Sequence, residues 1–146
     1  MNRDDEVREF HRQKALYEKA CQVNGRHYVE YVEEVKQLKR MERYDEAEKL
    51  ILAVLDACEQ ASKIPIPTPL RPDAEPYFNP VPPGWYRELA IIYRKQKRYD
   101  DEVALLERYS RQVGAGIGYD PTLDRLTKAR QLQQKARTKS DIADTK

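Results

Sequence analysis

KRMERYDEA at residues 39–47 and RKQKRYDDE at residues 94–102 are one passage written twice, 55 residues apart. Each opens with a basic pair, passes through Arg-Tyr-Asp and closes in acids. A helix is electrically negative at its C-terminal end and positive at its N-terminal end, so cations suit the first and acids the second. Each passage therefore reads as a turn between two helices. The match spreads outward at the same shift: Tyr31 meets Tyr86, Glu33 meets Glu88, Leu50 meets Leu105 and Ile51 meets Leu106.

The flanking periodicity agrees. Tyr28, Tyr31, Val32, Val35 and Leu38 share one face of a helix over residues 27–41, and Ala47, Leu50, Ile51, Val54, Leu55 and Cys58 share one face over residues 44–61. Only two or three residues join the two, which forces an antiparallel hairpin. The second copy carries Trp85, Tyr86, Leu89, Ile92 and Tyr93 over residues 85–97, then Val103, Leu106 and Tyr109 over residues 100–113. Before the first copy, residues 4–23 read as a helix started by Asp4, Asp5 and Glu6 and stopped by Asn24-Gly25. Its stripe of Val7, Phe10, Tyr17, Ala20 and Cys21 is interrupted by Lys14. After the second copy, the glycines at 114, 116 and 118 break the chain, and Asp120-Pro121 opens a last helix with Leu123, Leu126 and Leu132. Residues 64–83, IPIPTPLRPDAEPYFNPVPP, hold eight of the nine prolines, too many for helix or central strand. The expected fold is all-α, with about six helices in one domain over residues 1–137, hairpins at 28–59 and 83–113, an inserted proline-rich loop at 64–83, and a disordered tail at 138–146.

The hairpins resemble tetratricopeptide repeats, whose pattern is W-x2-L-G-x2-Y, then A-x3-F, then P, over 34 residues. In the second copy Tyr86, Leu89, Ala90 and Tyr93 fill the first-half slots and Leu106 the aromatic slot, with Glu102 where a small alanine belongs. In the first copy Ala47 and Ile51 fit the second half, while Glu34, Val35 and Leu38 depart from the first. The 55-residue spacing exceeds the family period by 21, about the length of the proline-rich insert. The resemblance implies divergent repeats whose outer helices act as caps.

Charged residues make up 36% of the chain and mean hydropathy is −0.92, yet the apolar residues are grouped, which argues against general disorder. A net charge of +2 lacks the basic excess of a dedicated DNA-binding domain. No apolar run approaches the ~20 residues of a membrane span, and MNRDDEVREF has no apolar core for a signal peptide. Two cysteines, Cys21 and Cys58, on apolar helix faces suit the reducing cytoplasm better than a disulfide scaffold. Only His11 and His27 could serve as imidazole bases, and neither sits in a nucleophile motif; with two scattered cysteines they make no zinc set. The pairs Asp45/Glu46 and Asp100/Asp101 are accounted for as helix starts. GAGIG follows a helix and lacks the lysine of a phosphate loop. Pro69-x-x-Pro72 and Pro80-x-x-Pro83 have the spacing of proline-groove ligands, though Arg71 stands in the wrong place for one. The expectation is a non-enzyme without cofactor or metal.

The family resemblance implies a concave groove lined by the first helix of each hairpin. The matching slots hold Val29, Val32, Lys36, Lys39 and Arg40 in the first copy, and Gly84, Arg87, Ile91, Arg94 and Lys95 in the second. Six cations, no acids and three aliphatic residues would receive an acidic or carboxylate-bearing peptide from another protein. Dipole compensation at helix C-termini accounts for Lys36, Lys39, Arg40, Arg94 and Lys95 without any ligand. The rival readings are a nucleic-acid accessory protein that adds Arg125, Lys128, Arg130, Lys135 and Arg137 to that face, and an enzyme with a site of unfamiliar type. Self-association of stacked repeats is a further option.

Overall fold

A computed structural model describes residues 2–66, 75–112 and 122–144. The fold is all-α. Among the described residues there are six α-helices and one two-stranded hairpin. The chain divides into two compact units, Met1–Val81 and Pro82–Lys146, where length alone suggested one domain.

In the first unit, α1 spans Arg3–Ala20 and begins at Asn2, whose side chain accepts a hydrogen bond from the Asp5 amide at 2.9 Å. It stops short of the expected residue 23 because Asn24-Gly25 is a hairpin turn rather than a helix terminator. Both residues have positive φ, 51° and 81°, as a two-residue type I′ turn requires. The turn pairs β1 (Gln22–Val23) with β2 (Arg26–His27), Gln22 facing His27 and Val23 facing Arg26. Beyond the hairpin the Tyr28 amide donates to the Cys21 carbonyl at 2.9 Å, and the buried Tyr31 hydroxyl donates to the Val23 carbonyl. These bonds hold residues Tyr28–Tyr31 in a 3-10 turn, so α2 is only Val32–Arg40 and the helix expected over residues 27–41 loses its first turn.

Helix α3, Tyr44–Ser62, packs against α1 and α2. Ile51, Val54 and Leu55 are fully buried on it, and each such side chain contributes about 1.5–3 kcal/mol by leaving water. Part of the proline-rich insert is tied to this unit: the Ile66 amide donates to the Tyr77 carbonyl at 2.8 Å, and Asn79 donates to the Tyr17 hydroxyl at 3.3 Å. Pro67, Pro69 and Pro72 lie outside the described residues.

In the second unit, α4 (Pro83–Lys95) opens with proline in its first turn, where no amide partner is needed. It buries Trp85, Tyr86, Leu89, Ala90, Ile92 and Tyr93. α5 (Tyr99–Ser110) packs against it, and the Tyr86 and Tyr109 rings meet with centroids 5.0 Å apart. α6 (Leu123–Asp144) lies on α5 through the buried Leu126 and Ala129. It continues past Arg137, so residues 138–144 are helical rather than a tail; TKSDIAD contains no glycine or proline to stop it. The glycines at 114, 116 and 118 and the Asp120-Pro121 start signal lie outside the described residues.

The repeated passages make the same turn, bond for bond. In the first, the amides of Met41, Glu42 and Arg43 donate to the carbonyls of Gln37, Lys39 and Leu38 at 3.0, 3.0 and 2.9 Å. In the second, those of Gln96, Lys97 and Arg98 donate to Ile92, Arg94 and Tyr93 at 3.1, 3.0 and 2.8 Å. Glu42 and Lys97 take left-handed backbone, φ 57° and 59°, the pattern of a Schellman helix end. Arg43–Glu46 and Arg98–Asp101 ion pairs then brace the next helix in each copy.

Candidate functional site

Position in the repeat decides which of the anticipated groove residues face water. Val29, Val32, Lys36 and Arg40 fall three, four and four residues apart, a single row along the 3-10 turn and α2, and all are exposed. The equivalent row in the second unit is Gly84, Arg87, Ile91 and Lys95; Ile91 is half-buried and the others are exposed. Each row mixes aliphatic and cationic groups. Lys36 lies 3.6 Å from the exposed Glu33, a contact that water screens. Arg40 and Arg87 hold no ion pair among the described residues.

Lys39 and Arg94 are also equivalent and half-buried. The Ala47 position of the first unit is Glu102 in the second, and both are completely buried. Arg94 grips that carboxylate with both arms of its guanidinium, Nε to Oε1 at 3.0 Å and Nη2 to Oε2 at 2.8 Å, and also donates to the Arg125 carbonyl at 3.0 Å. Arg125 reaches the same carboxylate at 3.2 Å. The Arg94 guanidinium is therefore committed to joining α4, α5 and α6, and it is not a ligand contact as the groove slot implied.

Three cations of α6 are likewise engaged. Arg130 pairs with Glu107 at 3.3 Å and Arg137 with Asp100 at 3.2 Å, while Gln133 donates to Asp100 at 2.8 Å. With Arg125 on Glu102, three of the five tail cations meet acids of α5. Lys128 and Lys135 are exposed.

The first unit also contains a cluster that sequence spacing did not reveal. The hairpin folds Gln22 and His27 back beside α1, closing one end of an open cleft of about 440 Å³ against Phe10, Lys14, Tyr17 and Cys21. The Asn24-Gly25 pair was the available signal, since Asn-Gly between short extended segments marks a hairpin. His27 Nδ1 accepts the Val29 amide at 3.1 Å, which in the neutral ring leaves the proton on Nε2. Burial pushes the Cys58 thiol up to about 12 and raises Cys21 in the same direction; Tyr28 is likewise raised to about 12 by burial. Both thiols are free and held protonated, the unreactive form. Among the described residues, no group of three or more His, Cys, Asp or Glu side chains is placed to hold a metal ion, and no helix is long and apolar enough to cross a membrane.

Comparison with known proteins finds no matching family model, no matching curated protein and no matching solved structure.

Proposed function

We propose that this chain is a non-enzymatic interaction module that binds an acidic, carboxylate-bearing peptide segment of another protein, in the cytoplasm. The observation that carries the reading is the recurrence of one largely exposed row per repeated turn, Val29-Val32-Lys36-Arg40 and Gly84-Arg87-Ile91-Lys95, in which only Ile91 is half-buried. Exposed aliphatic groups beside cations suit a peptide that offers apolar side chains and carboxylates together, and arginine can hold a carboxylate at two points. The resemblance to tetratricopeptide repeats supports the same reading, since that family presents first-helix positions to peptides. The cytoplasmic setting is favoured by two buried free thiols. The nucleic-acid reading has less support, because Arg125, Arg130 and Arg137 are paired with acids of α5.

The test is fluorescence anisotropy with a labelled peptide of alternating Leu and Glu, a Lys/Leu peptide of equal length, and single-stranded DNA. Lys36→Glu/Arg40→Glu and Arg87→Glu are expected to weaken the acidic peptide at least ten-fold, since charge-assisted contacts are worth about 1.5–3 kcal/mol each. Arg94→Glu is unsuitable as a probe because it would leave like charges beside the buried Glu102. Equal binding of the two peptides, or retention by both variants, would remove the reading. Tighter binding of DNA with steep salt dependence would replace it.

A further inference from the structure

The cleft between α1 and the hairpin belongs to neither exposed row. Helix α1 has no buried residue, and Phe10 and Tyr17 of its apolar stripe line this opening. Phe10 and Tyr17 supply ring surface, and the completely buried Cys21 forms part of the lining between helix and hairpin. The polar lining is mixed in sign. Lys14 and Glu18, one helical turn apart, are exposed and form no ion pair with each other among the described residues. Gln22 and His27 add an amide and an imidazole from the hairpin, the latter with Nε2 left as its donor.

This composition selects among ligands. One cation and one carboxylate on a single rim disfavour a purely anionic or purely cationic molecule, since either would meet a like charge as well as an opposite one. A net-neutral molecule carrying both charges meets neither penalty. Aromatic walls favour a ring, through offset or edge-to-face contact. A volume of about 440 Å³ lies within the range of small-molecule sites. The Cys21 thiol, raised by burial, offers the cleft no ready nucleophile.

We propose that this cleft binds a small aromatic zwitterion, of the class of the aromatic α-amino acids. The ring rests on Phe10 and Tyr17, the carboxylate meets Lys14 and His27, and the ammonium meets Glu18 and the Gln22 carbonyl. The site is independent of the peptide reading, since it shares no residue with either exposed row.

The experiment is a titration of the full chain with L-phenylalanine, followed by backbone amide resonances, alongside phenylacetate and phenethylamine, which each lack one charge. Saturable shifts confined to α1 and the hairpin are expected for L-phenylalanine, with each analogue roughly ten-fold weaker, the factor for one lost charge-assisted contact. Lys14→Gln should weaken L-phenylalanine and leave phenethylamine unchanged. Glu18→Gln should weaken L-phenylalanine and not phenylacetate. Both positions are exposed, so the variants keep the fold, which unchanged resonances of the second unit would verify. Absence of saturable shifts at residues 10–27, equal binding of all three molecules, or indifference to both substitutions would overturn the proposal.

Discussion

At the scale of single residues, Glu102 is the most informative. The tetratricopeptide pattern wants a small side chain there, as Ala47 supplies in the first unit, and by that pattern Glu102→Ala would be harmless. The structure says otherwise. Glu102 is completely buried with Arg94 and Arg125 on its two oxygens. Removing the carboxylate leaves two guanidinium groups facing each other, with their best partner gone. The loss is expected near the low end of the range for a broken buried pair, about 2–4 kcal/mol, because both arginines keep about a quarter of their side-chain surface in water. Urea unfolding followed by the helical circular dichroism signal measures it; a change below about 0.5 kcal/mol, the level of an ordinary surface substitution, would show the network to be idle. Arg94 illustrates why sequence spacing settles only part of the candidate site. Its spacing matches a groove slot of the family it resembles, and nothing in that spacing reveals that its guanidinium meets a buried carboxylate eight residues away.

At the scale of elements, the two turns are the same device built from different side chains. Each ends its first helix with a non-glycine residue in left-handed backbone, Glu42 at φ 57° and Lys97 at φ 59°. Glycine adopts that conformation without the clash between Cβ and the following carbonyl. Glu42→Gly and Lys97→Gly are therefore expected to stabilise the protein by about 0.5–1 kcal/mol each, against the usual cost of glycine near a helix. Thermal unfolding of the single variants checks the sign, and a lower midpoint would mean that these side chains make contacts worth more than the strain. The hairpin teaches the opposite lesson about glycine. Asn24-Gly25 has the sequence context of a stop signal, since it follows a helical stripe, whereas two consecutive positive φ angles make it a reversal of the chain. That one difference shortens α1, turns the start of the next helix into 3-10 geometry, and brings His27 to the cleft.

At the scale of the whole molecule, the two units differ in what holds them. The second is laced by ion pairs between α5 and α6, while the first holds two buried, protonated thiols and a half-buried tyrosine whose acidities are suppressed. The Cys58 thiol rises from the usual 9.0 to about 12. Above pH 9 the unfolded chain loses that proton while the folded one keeps it, so the unfolded state binds fewer protons and stability falls with rising pH. The first unit is expected to weaken progressively between about pH 9 and pH 12. Hydrogen exchange or urea midpoints across that window test this, and Cys58→Ala should flatten the slope. A midpoint independent of pH there would mean that the thiol is not protected as its burial implies.

What the sequence determined by itself was everything carried by short-range regularity: the all-α class, the positions of four of the six helices to within a few residues, and a turn repeated 55 residues apart. Helical period, charge at helix ends and proline density act within a few residues, so they can be read along the chain. Tertiary structure alone decided the division into two units, the commitment of Arg94 and Arg125 to Glu102, and the meeting of Lys14, Glu18 and His27 around one cleft. Those outcomes depend on which faces meet, and burial is a property of the packed chain that no local pattern specifies.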